Sequence, residues 1–137
     1  MVEKLTIDSS VIVASLLEEE KEHSRASKIW GEVLAGKAVA IMPYLVLVEV
    51  VAAIRRRTGD KELALKVKKE LLSVNAVNFT IIDPEAALEA SDLAIETGMR
   101  GMDAIVVQTA REYGTSLVTL DNEIIRKATG IVKIREL

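Results

Sequence analysis

The chain has 137 residues, 50% of them hydrophobic, which is enough for one compact domain with a sizeable core and gives no sign of a second. With no cysteine and a single histidine, disulfides and thiolate metal centres are excluded, and any metal site must rest mainly on oxygen ligands. A net charge of −3 provides no global attraction to nucleic acid, so such a partner would need a local basic patch or bridging metal ions.

Leu5 to Ile7 is a short apolar run ending in Asp8, after which Ser9 and Ser10 precede Val11, Ile12, Val13, Leu16 and Leu17. The pattern reads as strand, acid, helix. A second helix is predicted from Glu20 to Leu34, with Ala26, Ile29, Trp30, Val33 and Leu34 on one face, Trp30 in the core and His23 on a solvated polar face. Ala38 to Met42 is the second strand, and Pro43 opens a helix from Tyr44 to about Arg57. In the middle of that helix Glu49 is flanked by aliphatic residues from Leu45 to Ile54, so no face near it is polar. A carboxylate there is either buried or lines a cleft, because leaving it desolvated and unpaired is costly. The apolar run Ala38 to Ile54 is broken by Pro43 and Glu49 and makes a poor membrane span, and no charged-then-apolar leader is evident. The expectation is a soluble, cytoplasmic protein with no membrane partner.

Asp60 is a good N-cap for a helix from Lys61 to about Leu72. Phe79 to Ile82 is the third strand, and Asp83 with Pro84 starts a helix running to about Thr97, a cap followed by a proline at the first helical position. The basic link Met99, Arg100, Gly101 leads to Asp103, at the first turn of an amphipathic helix that stops at Gly114. Ser116 to Leu120 reads as a buried strand that delivers Asp121 at its carboxyl end. Asn122 to Ala128 is a short helix and Ile131 to Ile134 a last strand. Strands separated by helices imply βαβ units and a parallel sheet covered on both sides.

Asp8 and Asp121 lie at strand carboxyl ends, and the helices carrying Glu49 and Asp103 leave such ends or nearly so. Four carboxylates are therefore expected to converge over one edge of the sheet, where open α/β folds bind ligands. Each aspartate alone also reads as an ordinary helix cap. Gathered in one cleft, however, the four repel and cannot all stay ionised without a cation. Magnesium is a hard ion bound by a few carboxylates plus substrate phosphate oxygens, so the set points to phosphodiester hydrolysis. Arg55, Arg56, Arg57, Lys61 and Arg100 are candidates for a phosphate-contacting rim, and equally for solvated helix ends. No glycine motif cradles a nucleotide phosphate, and Ser10 stands where a carboxylate-site phosphatase would carry its second acid.

The series LTIDSSVIVASLL, PYLVLVEVVAAIRRRTGD and RGMDAIVVQTAREYGTSLVTLD resembles, segment by segment, the PIN domain of small prokaryotic ribonucleases, above all the VapC-type toxins of toxin–antitoxin pairs. The likeness spans nearly all of the chain, residues 1–137, as one domain. It implies a three-layer α/β/α sandwich with a central, mainly parallel sheet. It implies that Asp8, Glu49, Asp103 and Asp121 are the catalytic, metal-binding acids, with Ser10 and Thr119 as supporting hydroxyls. It further implies Mg²⁺- or Mn²⁺-dependent endonucleolytic cleavage of RNA through an activated water, a homodimer, and inhibition by a protein antitoxin. Arg55, Arg56 and Arg100 are the candidate RNA-phosphate contacts. Leu120 departs from the many relatives that carry a polar or basic residue before the last acid. The alternatives are a stand-alone RNA-processing nuclease and a catalytically silent PIN-like binding domain, the latter disfavoured by the presence of all four acids. The apolar fraction also suggests a dimer, with Leu16, Leu17, Leu71 and Leu72 as candidate contact residues.

Overall fold

The computed structural model describes residues 2–137. In chain order the elements are β1 (Glu3–Ile7), α1 (Ser9–Leu16), α2 (His23–Leu34), β2 (Ala38–Pro43), α3 (Tyr44–Thr58), α4 (Lys61–Ser73), β3 (Val77–Thr80), α5 (Pro84–Thr97), α6 (Gly101–Tyr113), β4 (Ser116–Val118), α7 (Asn122–Ala128) and β5 (Lys133–Ile134). All five strands are parallel, in the order β3-β2-β1-β4-β5. The expected parallel sheet with helical layers is therefore observed, and it is parallel throughout.

The topology follows from chain connectivity. Right-handed crossovers carry β1 to β2 to β3 in one direction with α1 to α4 on one face, and the return from β3 to β4 puts α5 and α6 on the other. Packing follows this division: α1 meets α2 and α3, α3 meets α4, and α5 meets α6. The direction reverses between β1 and β4, which makes their carboxyl ends the switch point of the sheet.

The strands deliver the core because they are buried from both faces: Leu5, Ile7, Ala40, Met42, Leu117 and Val118 are fully enclosed. Trp30 packs into this core as expected. One polar link lies inside it. Thr6 on the central strand donates to the Ile41 carbonyl at 2.7 Å, so its oxygen accepts from the Thr115 hydroxyl 2.5 Å away. At the other end of the chain Arg135 reaches Glu3 at 3.2 Å and Glu32 at 3.3 Å, tying the last residues to β1 and α2.

Several boundaries differ from the sequence reading. The third strand runs two residues earlier than expected, because β2 ends at Pro43 opposite Thr80 and offers nothing further to pair with, so Ile81 stands 77% exposed. Strand β4 stops at Val118, leaving Thr119 and Leu120 as a short link to Asp121, and β5 keeps only Lys133 and Ile134. Helix α2 begins at His23 rather than Glu20; Glu20 pairs instead with Arg57. His23 is not a freely solvated side chain: its Nδ1–H donates to the Ala14 carbonyl at 2.8 Å and bridges α1 to α2. The expected dimer patch is also corrected. Leu17 and Leu71 belong to the core, Leu16 packs against it, and only Leu72 is exposed.

The Thr6 link gives a clear energetic expectation. Thr6→Val strands the Thr115 hydroxyl, whose remaining acceptor, the Ala110 carbonyl, is at 3.5 Å, and should cost about 1–3 kcal/mol in urea denaturation. The Thr6→Val/Thr115→Val double variant should recover part of that loss. Additive losses in the two variants would show that the hydroxyls are not coupled.

Candidate functional site

Asp8 follows β1 directly, and its backbone N–H continues the sheet by donating to the Val118 carbonyl at 2.9 Å. It occupies the N-cap position of α1, yet its side chain caps nothing. Instead the Ser10 hydroxyl donates to Oδ2 at 2.8 Å and the Thr119 hydroxyl donates to the same oxygen at 2.9 Å. Each hydroxyl is itself held by a backbone N–H, that of Leu120 on Ser10 Oγ at 3.3 Å and that of Asp121 on Thr119 Oγ1 at 3.1 Å. The carboxylate is 6% exposed, and Oδ1 takes no hydrogen bond from any described side chain. Ser10 and Thr119, expected as supporting residues, thus both donate to one oxygen of Asp8, whose carboxylate also accepts from the Ser9 backbone N–H.

The remaining acids come from three other elements. Glu49 lies in the second turn of α3 and is half-buried, with none of the ion pairs to Arg55, Arg56 or Arg57 that would give it a purely structural role. Asp103 is inside the first turn of α6, which begins at Gly101 with Arg100 as its cap residue, so the capping explanation fails for it. For Asp121 it holds: Oδ1 accepts from the N–H groups of Glu123 at 2.9 Å and Ile124 at 3.4 Å at the start of α7. Asp60 and Asp83 are caps as expected, accepting from Leu63 and Ala86.

The acids sense one another. Burial pushes the Asp8 carboxyl up, against the pull of the Ser10 and Thr119 hydroxyls, and Asp121 adds repulsion. Glu49 is raised by desolvation and then by the charges of Asp8 and Asp103. Asp103 is raised by desolvation, Asp8, Asp121 and Glu123, with Arg100 opposing. Among the described residues, Arg100 is the only cation acting on any of the three. Arg55 and Arg56 stay apart from the cluster, toward the far end of α3 and about 9 Å of helix rise beyond Glu49. Arg55 instead lines a groove of about 700 Å³ between α3 and α4, together with Lys61 and Lys68.

This balance of charge bears on a metal. The donors are carboxylate and hydroxyl oxygens, the acids outnumber the one cation that acts on them, and one aspartate oxygen is left unengaged by side chains. Among the described residues no three acidic, histidine or cysteine side chains close around a common point as a preformed cage would. An open, oxygen-only set of this kind fits Mg²⁺ or Mn²⁺, ions of which the former keeps several of its waters and uses one or two carboxylates plus substrate oxygens.

The profile of the PIN domain matches residues 5–130. The chain belongs to the PIN domain family. Its fold is shared with the VapC20 toxin of Mycobacterium tuberculosis, a sarcin-ricin loop cleaving toxin: 22% identity, TM-score 0.77, 96% of this chain and 98% of that one covered. It is shared also with VapBC2 from Rickettsia felis bound to a promoter DNA fragment, at 14% identity and TM-score 0.71, with 98% of each chain covered. PAE2754 from Pyrobaculum aerophilum is similar at 21% identity and TM-score 0.67, over 98% of this chain and 89% of that one. A search of curated protein sequences finds no match. Within this PIN domain no described helix is long and apolar enough to cross a membrane.

Two residues around the site escaped the sequence reading. Glu123 and Lys127 line, with Arg100 and Asp103, a small pocket of about 190 Å³ beside the acids. Their signal was present as an acid and a lysine four residues apart on the helix that follows Asp121, a spacing that pairs them on one face.

The raised acids set a pH dependence. A carboxyl whose folded pKa exceeds its unfolded value destabilises the fold once ionised, so stability is greatest below the ordinary values of 3.8 and 4.5 and is lost as pH rises through the folded values. In EDTA, the melting temperature should rise as the pH is lowered from neutral through the raised values of Asp8, Glu49 and Asp103. Asp8→Asn should flatten that slope and raise the melting temperature at neutral pH. A slope of opposite sign in the parent would refute this charge assignment.

Proposed function

We propose that this PIN domain is a Mg²⁺- or Mn²⁺-dependent endoribonuclease and the toxin of a toxin–antitoxin pair. The observation that carries the reading is the treatment of Asp8. A carboxylate is buried at the switch point of the sheet, accepts from two hydroxyls through one oxygen, and is set among Glu49, Asp103 and Asp121 with, among the described residues, only Arg100 to offset them. Such an arrangement is costly for a fold and useful for holding a divalent ion.

Asp8, Glu49, Asp103 and Asp121 are the residues that would hold the ion. When bound, it would supply a fixed double charge that lowers the pKa of a water, easing its deprotonation to a nucleophile, and offsets charge on the phosphate oxygens. The chain's own contribution is orientation. Ser10 and Thr119 fix the plane of the Asp8 carboxylate, and the link Thr119–Leu120 fixes Asp121 relative to it. Arg100, exposed at the start of α6, would meet a backbone phosphate of the substrate.

RNA as the substrate and an antitoxin as the partner are supported by the likeness to the sarcin-ricin loop cleaving toxin and to the promoter-bound VapBC2 complex. An apolar helix of the antitoxin has a candidate seat in the groove of about 210 Å³ between α1, α2 and α4, lined by Leu16, Trp30, Leu34, Val67 and Leu71. For a homodimer the exposed Val48 and Leu65, on the groove between α3 and α4, replace the leucines chosen from sequence.

The deciding experiment is cleavage of a panel of structured and unstructured RNAs by purified protein with and without Mg²⁺ or Mn²⁺. Asp8→Asn and Asp103→Asn should each lower the rate on the order of 10²-fold or more while the circular dichroism spectrum is unchanged. Parent-like rates in either variant at saturating metal would sink the four-acid site.

Thr119→Val tests the supporting role separately. It removes a donor to Asp8 and an acceptor for the Asp121 N–H, and should raise the metal concentration needed for half-maximal cleavage by about 10- to 100-fold. An unchanged metal requirement would assign Thr119 to packing alone.

A further inference from the structure

We infer that Lys127 is a positioning residue for the carboxylate site: its ammonium straps the link that carries Arg100 and Asp103 to the helix that begins after Asp121. This rests on the proposal that the acids hold a divalent ion. Lys127 is on the last turn of α7, where Nζ donates to the Gly98 carbonyl at 3.1 Å and pairs with Glu123 Oε1 at 2.8 Å.

An ordinary exposed pair of this spacing stabilises a helix only slightly and has no bearing on tertiary geometry. Lys127 differs in two respects. Its side chain is 18% exposed while that of Glu123 is 57% exposed, so most of the lysine side chain is covered by protein although its bond to Gly98 is at the surface. Its second contact crosses to another element. Gly98 is the left-handed cap of α5, at φ 72°, and a Cβ there would stand 3.9 Å from the lysine nitrogen.

The strap matters because of what it joins. Gly98, Met99 and Arg100 are the whole connection between α5 and α6, and Asp103 follows in the first turn of α6. Asp121 is the cap of α7 itself. The separation of these two acids therefore depends on how α7 sits against that connection. Buried Met99 and Ile124 supply apolar packing there, and Lys127 supplies a directional bond. Asp121 lies close enough to add like-charge repulsion at Asp103, so the joint that sets their spacing matters to both acids. Lys127 holds that joint, with its Nζ shared between the Gly98 carbonyl and the Glu123 carboxylate.

The test uses the full chain and Mn²⁺ as the probe. In metal-free protein, Lys127→Met should speed amide hydrogen exchange at Gly98 and Ala104, whose N–H groups bond the Ala94 and Arg100 carbonyls, while strands β1 and β2 keep parent protection. The Mn²⁺ concentration giving half of the maximal thermal stabilisation should rise about 10-fold, the effect of losing an outer contact to a metal site. Lys127→Arg, which retains a cation able to reach both oxygens, should restore most of the parent midpoint. Lys127→Gln, too short to span to Gly98, should behave like Lys127→Met. A lower melting temperature with an unchanged Mn²⁺ midpoint in Lys127→Met and Lys127→Gln would overturn the proposal and make the strap merely structural. So would an arginine variant no better than the methionine one. A parent protein that Mn²⁺ does not stabilise at all would defeat the metal reading itself, and this inference with it.

Discussion

The need to bury one carboxylate at the end of a central strand governs this molecule. Asp8 is 6% exposed, at the carboxyl end of a strand flanked by neighbours on both sides, where water can reach little of it. Desolvation there disfavours the charged form, and each further acid nearby disfavours it more. Two hydroxyls aimed at one oxygen offset part of this cost, and their own acceptor positions are filled by the N–H groups of Leu120 and Asp121. The path of the chain after β4 is thus tied to the requirements of a side chain more than a hundred residues earlier.

Topology explains why the other acids arrive there. In the order β3-β2-β1-β4-β5 the crossovers diverge on either side of the β1–β4 pair, which leaves a crevice at their carboxyl ends. Helices α3 and α6 present Glu49 and Asp103 from their first two turns, close to the positive ends of their dipoles, which favour negative charge. That gain is modest against desolvation, since both acids remain raised. The fold therefore keeps a standing deficit of positive charge at one place, and the proposed function turns on that deficit.

Away from the site, the structure spends its polar contacts on connecting elements. Gln108, buried on α6, donates to Glu89 on α5 at 3.1 Å and to Glu112 one turn on at 3.3 Å. The Ala14 contact of His23 and the paired contacts of Arg135 do the same for α1, α2 and β1. Such crossings suit a domain whose short edge strands, β3 with four residues and β5 with two, contribute little lateral pairing.

Sequence alone determined the succession of strands and helices and the parallel sheet, because period, caps and glycine stops are local signals; the four acids stood out by their places at strand and helix ends, and Ser10 and Thr119 only by the resemblance to the PIN domain. Glu49 was legible as an anomaly, a charge with no polar neighbours along its helix. Other features are pairwise across the chain and leave no local trace. The shift of β3 depends on where Pro43 ends its partner strand, the burial of Leu17 and Leu71 depends on which faces α1 and α4 turn inward, and the separation of Arg55 and Arg56 from the acids depends on the direction of α3. The same is true of the two hydroxyls converging on a single oxygen of Asp8, and of Lys127 reaching the cap of α5. Only the tertiary structure decides such matters, because a hydrogen bond between residues far apart in sequence is set by the packing of entire elements rather than by the propensity of any one.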